Sequence, residues 1–345
     1  MIVKLEKVCK RIYAGGDVPK DRYSKEKTED YKVPIFANAE KDEGLYGYTY
    51  EAREKELSIT VAARGTIGYT VIRREPFFPV VRLITVVPDL EKVSERYLFY
   101  ALKNCKPQSS GTSIPQLTVP DIKKNTLNLL DIVEQESIAD RLDKLNGIIK
   151  LRTEEISKLD ELIKARFVEM FGDVIRNDKL WKTDSWNNLL RIVNGKNQRA
   201  IESNDGEYVI CGSGGIMGKA RDYLTKENSV IVGRKGNINK PILMREKYWN
   251  VDTAFGIEPN NNHICVEYLY MFCLFFDFNR LNKAVTIPSL TKADLLNIEM
   301  PVPDLNIQKR FATFVHQVDK SKVAVQKALD ETQTLFDSLM QKYFG

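Results

Sequence analysis

Two hydrophobic patterns alternate along the 345-residue chain. The first is a set of short β-branched runs broken by glycine and proline: "KVPIFAN", "LSITVAARG" and "PVVRLITVVP", then later "EYVICGSGG", "SVIVGRKG" and "PILMRE". These predict short strands joined by tight turns. The second pattern is long. After Gln135, apolar residues recur at 138, 142, 145, 149, 156, 159, 163 and 170, in steps of four and three. That spacing is the a/d seam of a heptad helix. The seam returns at Phe311, Val315, Val318, Lys322, Val325, Leu329, Thr332, Phe336, Leu339 and Tyr343. Arg152 and Arg166 interrupt the first seam, and Lys322 and Thr332 interrupt the second. Between strands and seam, each half carries a compact apolar helix, around Leu98 or Leu269.

The halves are copies of one module of about 170 residues. "GTSIPQLTVPDI" at 111–122 resembles "AVTIPSLTKADL" at 284–295. Pro115 and Pro288, Gln135 and Gln308, and Gly172 and Gly345 are each 173 positions apart. Earlier segments match with drifting offsets, as surface loops of changing length allow. "RIYAGG" at 11–16 answers "RIVNGK" at 191–196, "VAARGTIGYT" at 61–70 answers "VIVGRKGNIN" at 230–239, and "RYLFYALKN" answers "EYLYMFCLF". A period of half the chain is a domain duplication and no solenoid.

The seam defects do not fall at equivalent positions, so the two helices are expected to pair with each other, each covering gaps in the other. Each is roughly 30 residues, about 45 Å at 1.5 Å per residue. The expected architecture is α+β: two tandem β-rich domains separated by two long, paired antiparallel coiled-coil helices about a pseudo-two-fold axis. The boundaries read as a first domain over 1–137, a central helix over 138–172, a second domain over 173–310 and a C-terminal helix over 311–345. As a plain packing device, the same helices would still form a rigid spacer.

Composition and charge then remove several function classes. The net charge of +5 permits nucleic-acid binding without arguing for it. Five scattered cysteines without a C-x-x-C pair argue against a zinc ribbon or disulfide framework. Two histidines, His263 and His316, argue against a histidine-built metal site. "CGSGGIMGKA" at 211–220 looks like a phosphate loop, but a Walker motif would need glycine at Ser213 and a hydroxyl at Ala220. A dinucleotide fingerprint beginning at Gly212 would need glycine at Met217. In the other copy this loop answers "FANAEKDEGLYG" at 36–47, which is poor in glycine. That suits a variable recognition loop and not a phosphate cradle. The N-terminus lacks a signal-peptide core, and the longest apolar run, 268–276, is too short to span a bilayer. A soluble, cytoplasmic protein is expected, with no membrane partner.

Two β-rich modules, each followed by a long helix, resemble the specificity (S) subunit of type I restriction–modification systems. The resemblance covers essentially the whole chain. It rests most specifically on "GTSIPQLTVPDIKKNTLNLL…EQESIADRLDKLN" and "VTIPSLTKADLLNIEMPVPDLNIQKRFATFV". These are similar to the family's S-x-I-P-x-L … P-L-x-E-Q-x-x-I passage from recognition domain to helix. The chain departs from it at "LLDIVEQ", which lacks the proline, and at Asn306-Ile307-Gln308, which lacks the acidic residue. The resemblance implies that each module is a target-recognition domain reading one half of an interrupted site in double-stranded DNA. The helices would set the spacing and dock the adenine methyltransferase (M) subunits, two in number. Their cofactor would be S-adenosylmethionine, and cleavage would fall to separate restriction/translocase (R) subunits using ATP and Mg. This chain would hold no catalytic residue, metal or cofactor of its own.

Reading bases takes arginine, lysine or amide side chains on loops held by a rigid scaffold. Phosphates take cations, hydroxyls and backbone N–H groups. The candidates in the glycine-rich loop are Ser213, Lys219 and Arg221, and in its partner loop Asn38, Tyr46 and Tyr48. The "ARGTIG" and "GRKGNI" turns offer Arg64, Thr66, Arg234, Lys235 and Asn237. The segments before the helix entries offer Thr112, Gln116, Thr286 and Ser289. Each also fits an ordinary solvated turn or helix cap. The aromatic-rich segments read as core. The competing reading is a coiled-coil scaffold carrying two protein-binding modules, with no DNA role.

Overall fold

The computed structural model describes residues 1–19, 22–105, 116–284 and 286–345. The chain divides into two compact units. Unit 1 is Met1–Arg152 with Ala328–Gly345, and unit 2 is Thr153–Lys327.

In unit 1 the chain runs through β1 (Ile2–Lys4), β2 (Cys9–Ala14), β3 (Val33–Phe36), β4 (Leu45–Thr49), β5 (Ser58–Val61), β6 (Thr70–Arg73), β7 (Phe78–Pro79) and β8 (Ile84–Pro88). Then come α1 (Glu95–Lys103), α2 (Val119–Lys124), β9 (Thr126–Asn128) and the start of α3 (Ile132–Phe171). The strands form a four-stranded sheet in the order β2-β8-β5-β6, a three-stranded sheet β4-β3-β7 and the pair β1-β9. β5 and β8 are buried along their whole length, as continuous β-branched runs demand.

Unit 2 repeats this plan. β10 (Thr183–Ser185), α4 (Trp186–Leu189), β11 (Leu190–Asn194), β12 (Tyr208–Gly212), β13 (Gly215–Ala220), β14 (Ser229–Gly233), β15 (Ile242–Met244), β16 (Tyr248–Asn250) and β17 (Ala254–Pro259) come first. α5 (Val266–Phe275), α6 (Lys292–Leu296), β18 (Glu299–Pro301) and α7 (Leu305–Phe344) follow. Its sheets are ordered β11-β17-β14-β15 and β13-β12-β16, with β10-β18 as the pair. Strand for strand, this is the order of unit 1.

The repeat extends to side-chain chemistry. Thr118 caps α2 through Asp121, and Thr291 caps α6 through Asp294. Gly15 and Gly195 end equivalent strands where another backbone passes close. A Cβ would lie 2.7 Å from the Pro79 carbonyl oxygen in one case and 1.8 Å from the Val251 oxygen in the other.

The aromatic segments are core over most of their length: Tyr97 and Leu98 in α1, and Tyr268, Leu269 and Phe272 in α5, are all but inaccessible, whereas Leu274 and Phe275 at the end of α5 are exposed. α3 and α7 are each 40 residues, longer than the heptad pattern suggested. The extension is at the front, where α3 begins at Ile132 and α7 at Leu305. The Asp131 carboxylate accepts from the Glu134 N–H and the Asp304 carboxylate from the Asn306 N–H, which starts each helix ahead of its apolar repeat. Within unit 1, Ile138 and Leu142 of α3 share a core with Phe336 and Met340 of α7. Within unit 2, Ile163, Phe167 and Phe171 share one with Phe311, Val315 and Val318. Seam defects find polar partners on the other helix. Arg152, half-buried, donates to the Ala328 carbonyl and to the hydroxyl of the buried Thr332, so two polar defects meet each other. Lys322 reaches the Asp160 carboxylate at 2.5 Å.

The strand expected over "PVVRLITVVP" is interrupted. β7 ends at Pro79 and β8 begins at Ile84, with Val81 and Arg82 between them at φ of 51° and 62°. The Val81 and Arg82 N–H groups are held by the carbonyls of Gly16 and Gly15. The alignment of the glycine turns also shifts. β5 pairs β8 with Val61 opposite Ile84, and β14 pairs β17 with Val232 opposite Phe255. Arg64 therefore answers Lys235, and Gly65 answers Gly236, at φ of 70° and 77°.

Candidate nucleic-acid interface

In unit 2, three segments far apart in sequence converge. β12 and β13 form a hairpin closed by Ser213-Gly214, with Gly212 opposite Gly215 and Gly215 at φ 117°. No helix follows this loop, which removes the strand–loop–helix geometry a Walker motif needs. The turn after β14 lies beside the hairpin: a Cβ on Gly233 would sit 3.1 Å from the Ser213 Cβ. The Arg234 and Lys235 N–H groups both donate to the Thr253 carbonyl, at 2.7 and 3.2 Å. The segment before α6 closes the cluster. Leu290 N–H donates to the Arg234 carbonyl at 2.9 Å, Gly236 N–H donates to the Pro288 carbonyl at 3.0 Å, and Lys235 bridges to Ser289. Arg234, Lys235 and Asn237 are exposed, and Ser213 and Ser289 are half-buried.

The other unit 2 candidates stand apart. Lys219 is opposite Val209, toward the far end of β13, and the Arg221 N–H donates to Ile201 beyond it. Thr286 is exposed, two positions before Pro288.

Unit 1 assembles the matching segments. The turn after β5 carries Arg64, Gly65 and Thr66, all exposed. Leu117 N–H donates to the Ala63 carbonyl at 2.9 Å, the counterpart of the Leu290–Arg234 bond. Gln116 Oε1 accepts from Arg64 Nε at 3.0 Å and from Nη2 at 2.8 Å. Asn38 staples the loops together. Its Oδ1 accepts from the Ala63 N–H at 2.7 Å, and its Nδ2 donates to the Val81 carbonyl at 2.5 Å. Its amide is thus largely spent on the protein's own backbone. Tyr46 and Tyr48 lie on β4. Tyr46 is exposed with its ring 5.8 Å from that of Tyr23, while Tyr48 pairs its backbone with Ser24. Thr112 lies outside the described residues.

Arg82 escaped the sequence reading. It is exposed on the tight turn between β7 and β8, and it lines a cavity of about 170 Å³ together with Arg64, Gln116 and Thr118. Its signal was faint, an arginine inside an apolar run that reads as one strand. Among the described residues no group of three or more His, Cys, Asp or Glu could hold a metal ion. No helix among them is long and apolar enough to cross a membrane.

The family model for the type I restriction modification DNA specificity domain matches residues 1–161 and 179–332. A Mycoplasma pneumoniae sequence described as a type I specificity subunit is 38% identical over 161 residues, covering 47% of this chain and 48% of its own. A second from the same organism is 36% identical over 182 residues, covering 52% and 50%. The chain thus spans about half the length of these two curated relatives. The MjaIX specificity subunit of Methanocaldococcus jannaschii is 22% identical across 96% of this chain and 86% of its own. In fold, the chain is similar to the S subunit of a type I restriction–modification system from M. genitalium, with a TM-score of 0.67 at 17% identity over 100% of this chain and 96% of that one. It is also similar to a chain from a study of type I assembly and conformational transition, with a TM-score of 0.59 at 15% identity over 100% and 97%. With the family model matching both halves, the chain belongs to the type I restriction modification DNA specificity domain family.

Proposed function

We propose that this chain is the DNA-reading subunit of a type I restriction–modification complex, each unit reading one half of an interrupted site. One observation carries the reading. In each unit the turn after the central strand is tied by an equivalent backbone bond to the segment entering the short helix, Leu117 to Ala63 and Leu290 to Arg234. Both turns offer cations on a fixed frame, Arg64 in one and Arg234 and Lys235 in the other. Fork-shaped and amide donors on rigid loops are what base-edge recognition uses. The remaining candidates on the two units supply phosphate contacts and register. The long helices, paired antiparallel as a coiled coil, set the half-site spacing and dock the M subunits. Adenine methylation with S-adenosylmethionine belongs to those subunits, and cleavage with ATP and Mg to the R subunits. In this reading the chain is non-catalytic, and the DNA-reading domains are residues 1–137 and 173–310.

The test is a genome-wide adenine methylation map of the source cell with and without this gene. Loss of one interrupted motif on deletion supports the reading and supplies both half-sites. An unchanged map, with the partner methyltransferase expressed and active, overturns it in favour of a protein-binding scaffold.

A further inference from the structure

Arg64 and Gln116 were both candidates to touch DNA, yet their geometry gives them different tasks. Gln116 Oε1 takes two of the five guanidinium N–H groups of Arg64, from Nε and Nη2. Those two lie on one edge of the guanidinium plane. Among the described residues the other edge, a hydrogen from each Nη, meets no partner and remains as a parallel fork. That fork matches the O6 and N7 acceptors of guanine in the major groove.

The clamp is itself fixed. Gln116 precedes Leu117, whose N–H donates to the Ala63 carbonyl next to Arg64. The turn is tightened by Gly68 N–H to the Ala62 carbonyl and Tyr69 N–H to the Thr66 carbonyl. Asn38 holds the Ala63 N–H from the other side. An exposed arginine otherwise gives up considerable rotamer freedom on binding. Here part of that ordering is done before DNA arrives. The equivalents in unit 2 are Lys235 and Ser289, and a lysine has no planar fork to hold, so the device belongs to unit 1.

We infer that Arg64 is a guanine-reading residue of the half-site bound by unit 1, and that Gln116 is its positioning residue. This rests on the DNA-reading role proposed above. The experiment uses the chain assembled with its methyltransferase on duplexes of the mapped motif, in which one guanine at a time is replaced by 7-deazaguanine to delete N7. The wild-type complex methylates one such duplex about tenfold more slowly, the loss of one charge-assisted hydrogen bond. Arg64→Ala methylates that pair of duplexes at equal rates and relaxes the motif at that base pair only. Arg64→Lys keeps the charge but not the fork, and retains only part of the N7 discrimination. Gln116→Ala keeps the motif but loses part of the N7 discrimination, and Gln116→Glu, which still accepts from the guanidinium, restores it.

A Gln116 that merely supported the fold would slow both duplexes alike, which overturns its positioning role. A uniform loss in Arg64→Ala, with the salt slope reduced by about one, marks a phosphate contact and overturns the inference while leaving the wider reading intact. A unit 1 half-site without guanine overturns it too. A wild-type complex with no preference for the mapped motif counts instead against the proposed function.

Discussion

Gln135 and Gln308 each make the same three hydrogen bonds from a fully buried position. Gln135 Oε1 accepts from the Ser94 N–H at 2.9 Å, and its Nε2 donates to the carbonyls of Lys92 and Leu130 at 3.1 and 2.9 Å. Gln308 accepts from the Cys265 N–H at 2.9 Å and donates to His263 and Pro303 at 2.9 and 2.8 Å. A carboxamide both accepts and donates twice in one plane, which a carboxylate cannot do. Each glutamine pins a long helix to the loop that starts the shorter helix α1 or α5. Truncation leaves one N–H and two carbonyls without their partner, at a cost of roughly 1–3 kcal/mol for each group that water does not reach. Gln135→Ala and Gln308→Ala are expected to destabilise by about 3 kcal/mol each, read from denaturant midpoints. Gln135→Glu should be little better. Because the two sites lie in separate units, the double variant should lose about the sum. A loss below about 1 kcal/mol in either single variant would show that the clamp does not hold the helix entry.

At the scale of elements, the periodic signals were legible and the register was not. Alternating and continuous β-branched runs became β3, β5, β12 and β14, and the seam positions proved buried or half-buried, because burial is what hydrophobic spacing records. The turn at Val81-Arg82 was hidden, since two non-glycine residues with positive φ leave no composition cue. The pairing of Arg64 with Lys235 was displaced because loop lengths drift, and only strand register fixes it. The converging loops could not be read at all, because tertiary contacts such as Asn38 to Ala63 have no sequence period.

The same scale carries a pH prediction. Glu267 opens α5 and is nearly buried, accepting from Arg245 Nη1 at 2.7 Å and contacting His316 Nε2 at 2.8 Å. Burial alone raises its pKa. The hydrogen bonds from Arg245, its own backbone and His316 outweigh that and leave it below the ordinary 4.5. A carboxyl with a depressed folded pKa contributes stability that is complete above its unfolded pKa and is lost as the pH falls through the folded one. Glu267→Gln should therefore cost about 1 kcal/mol at pH 7, discounted for its half-exposed partners. The gap between wild type and variant should close as pH falls below 4.5. A gap that stays constant down to pH of about 3 would show that charge plays no part there.

For the whole molecule, the two compact units do not end where the sequence repeat does. The boundary expected from the repeat ends the first domain at 137, but the residues that complete unit 1 come from the other end of the chain. Phe336 and Met340 fill its core beside Ile138 and Leu142. The Phe344 ring lies 4.9 Å from that of Tyr97, and the Phe344 carbonyl accepts from Asn104 at 2.7 Å. Arg152 reaches Thr332 within the same unit. A chimera that exchanges 1–137 alone for another family member's segment joins a foreign core to these residues. Mismatched packing of that kind typically costs about 1–3 kcal/mol per ill-fitting side chain. A chimera exchanging 1–152 together with 328–345 keeps the whole core of unit 1 from one parent. Each chimera that folds should change only one half of the methylated motif. The second is expected to be several kcal/mol more stable than the first, read from denaturant unfolding, and to give more soluble complex. Equal stability would mean that the end of α7 packs generically enough to serve any partner. A change in both half-sites would mean that the two units do not read DNA independently.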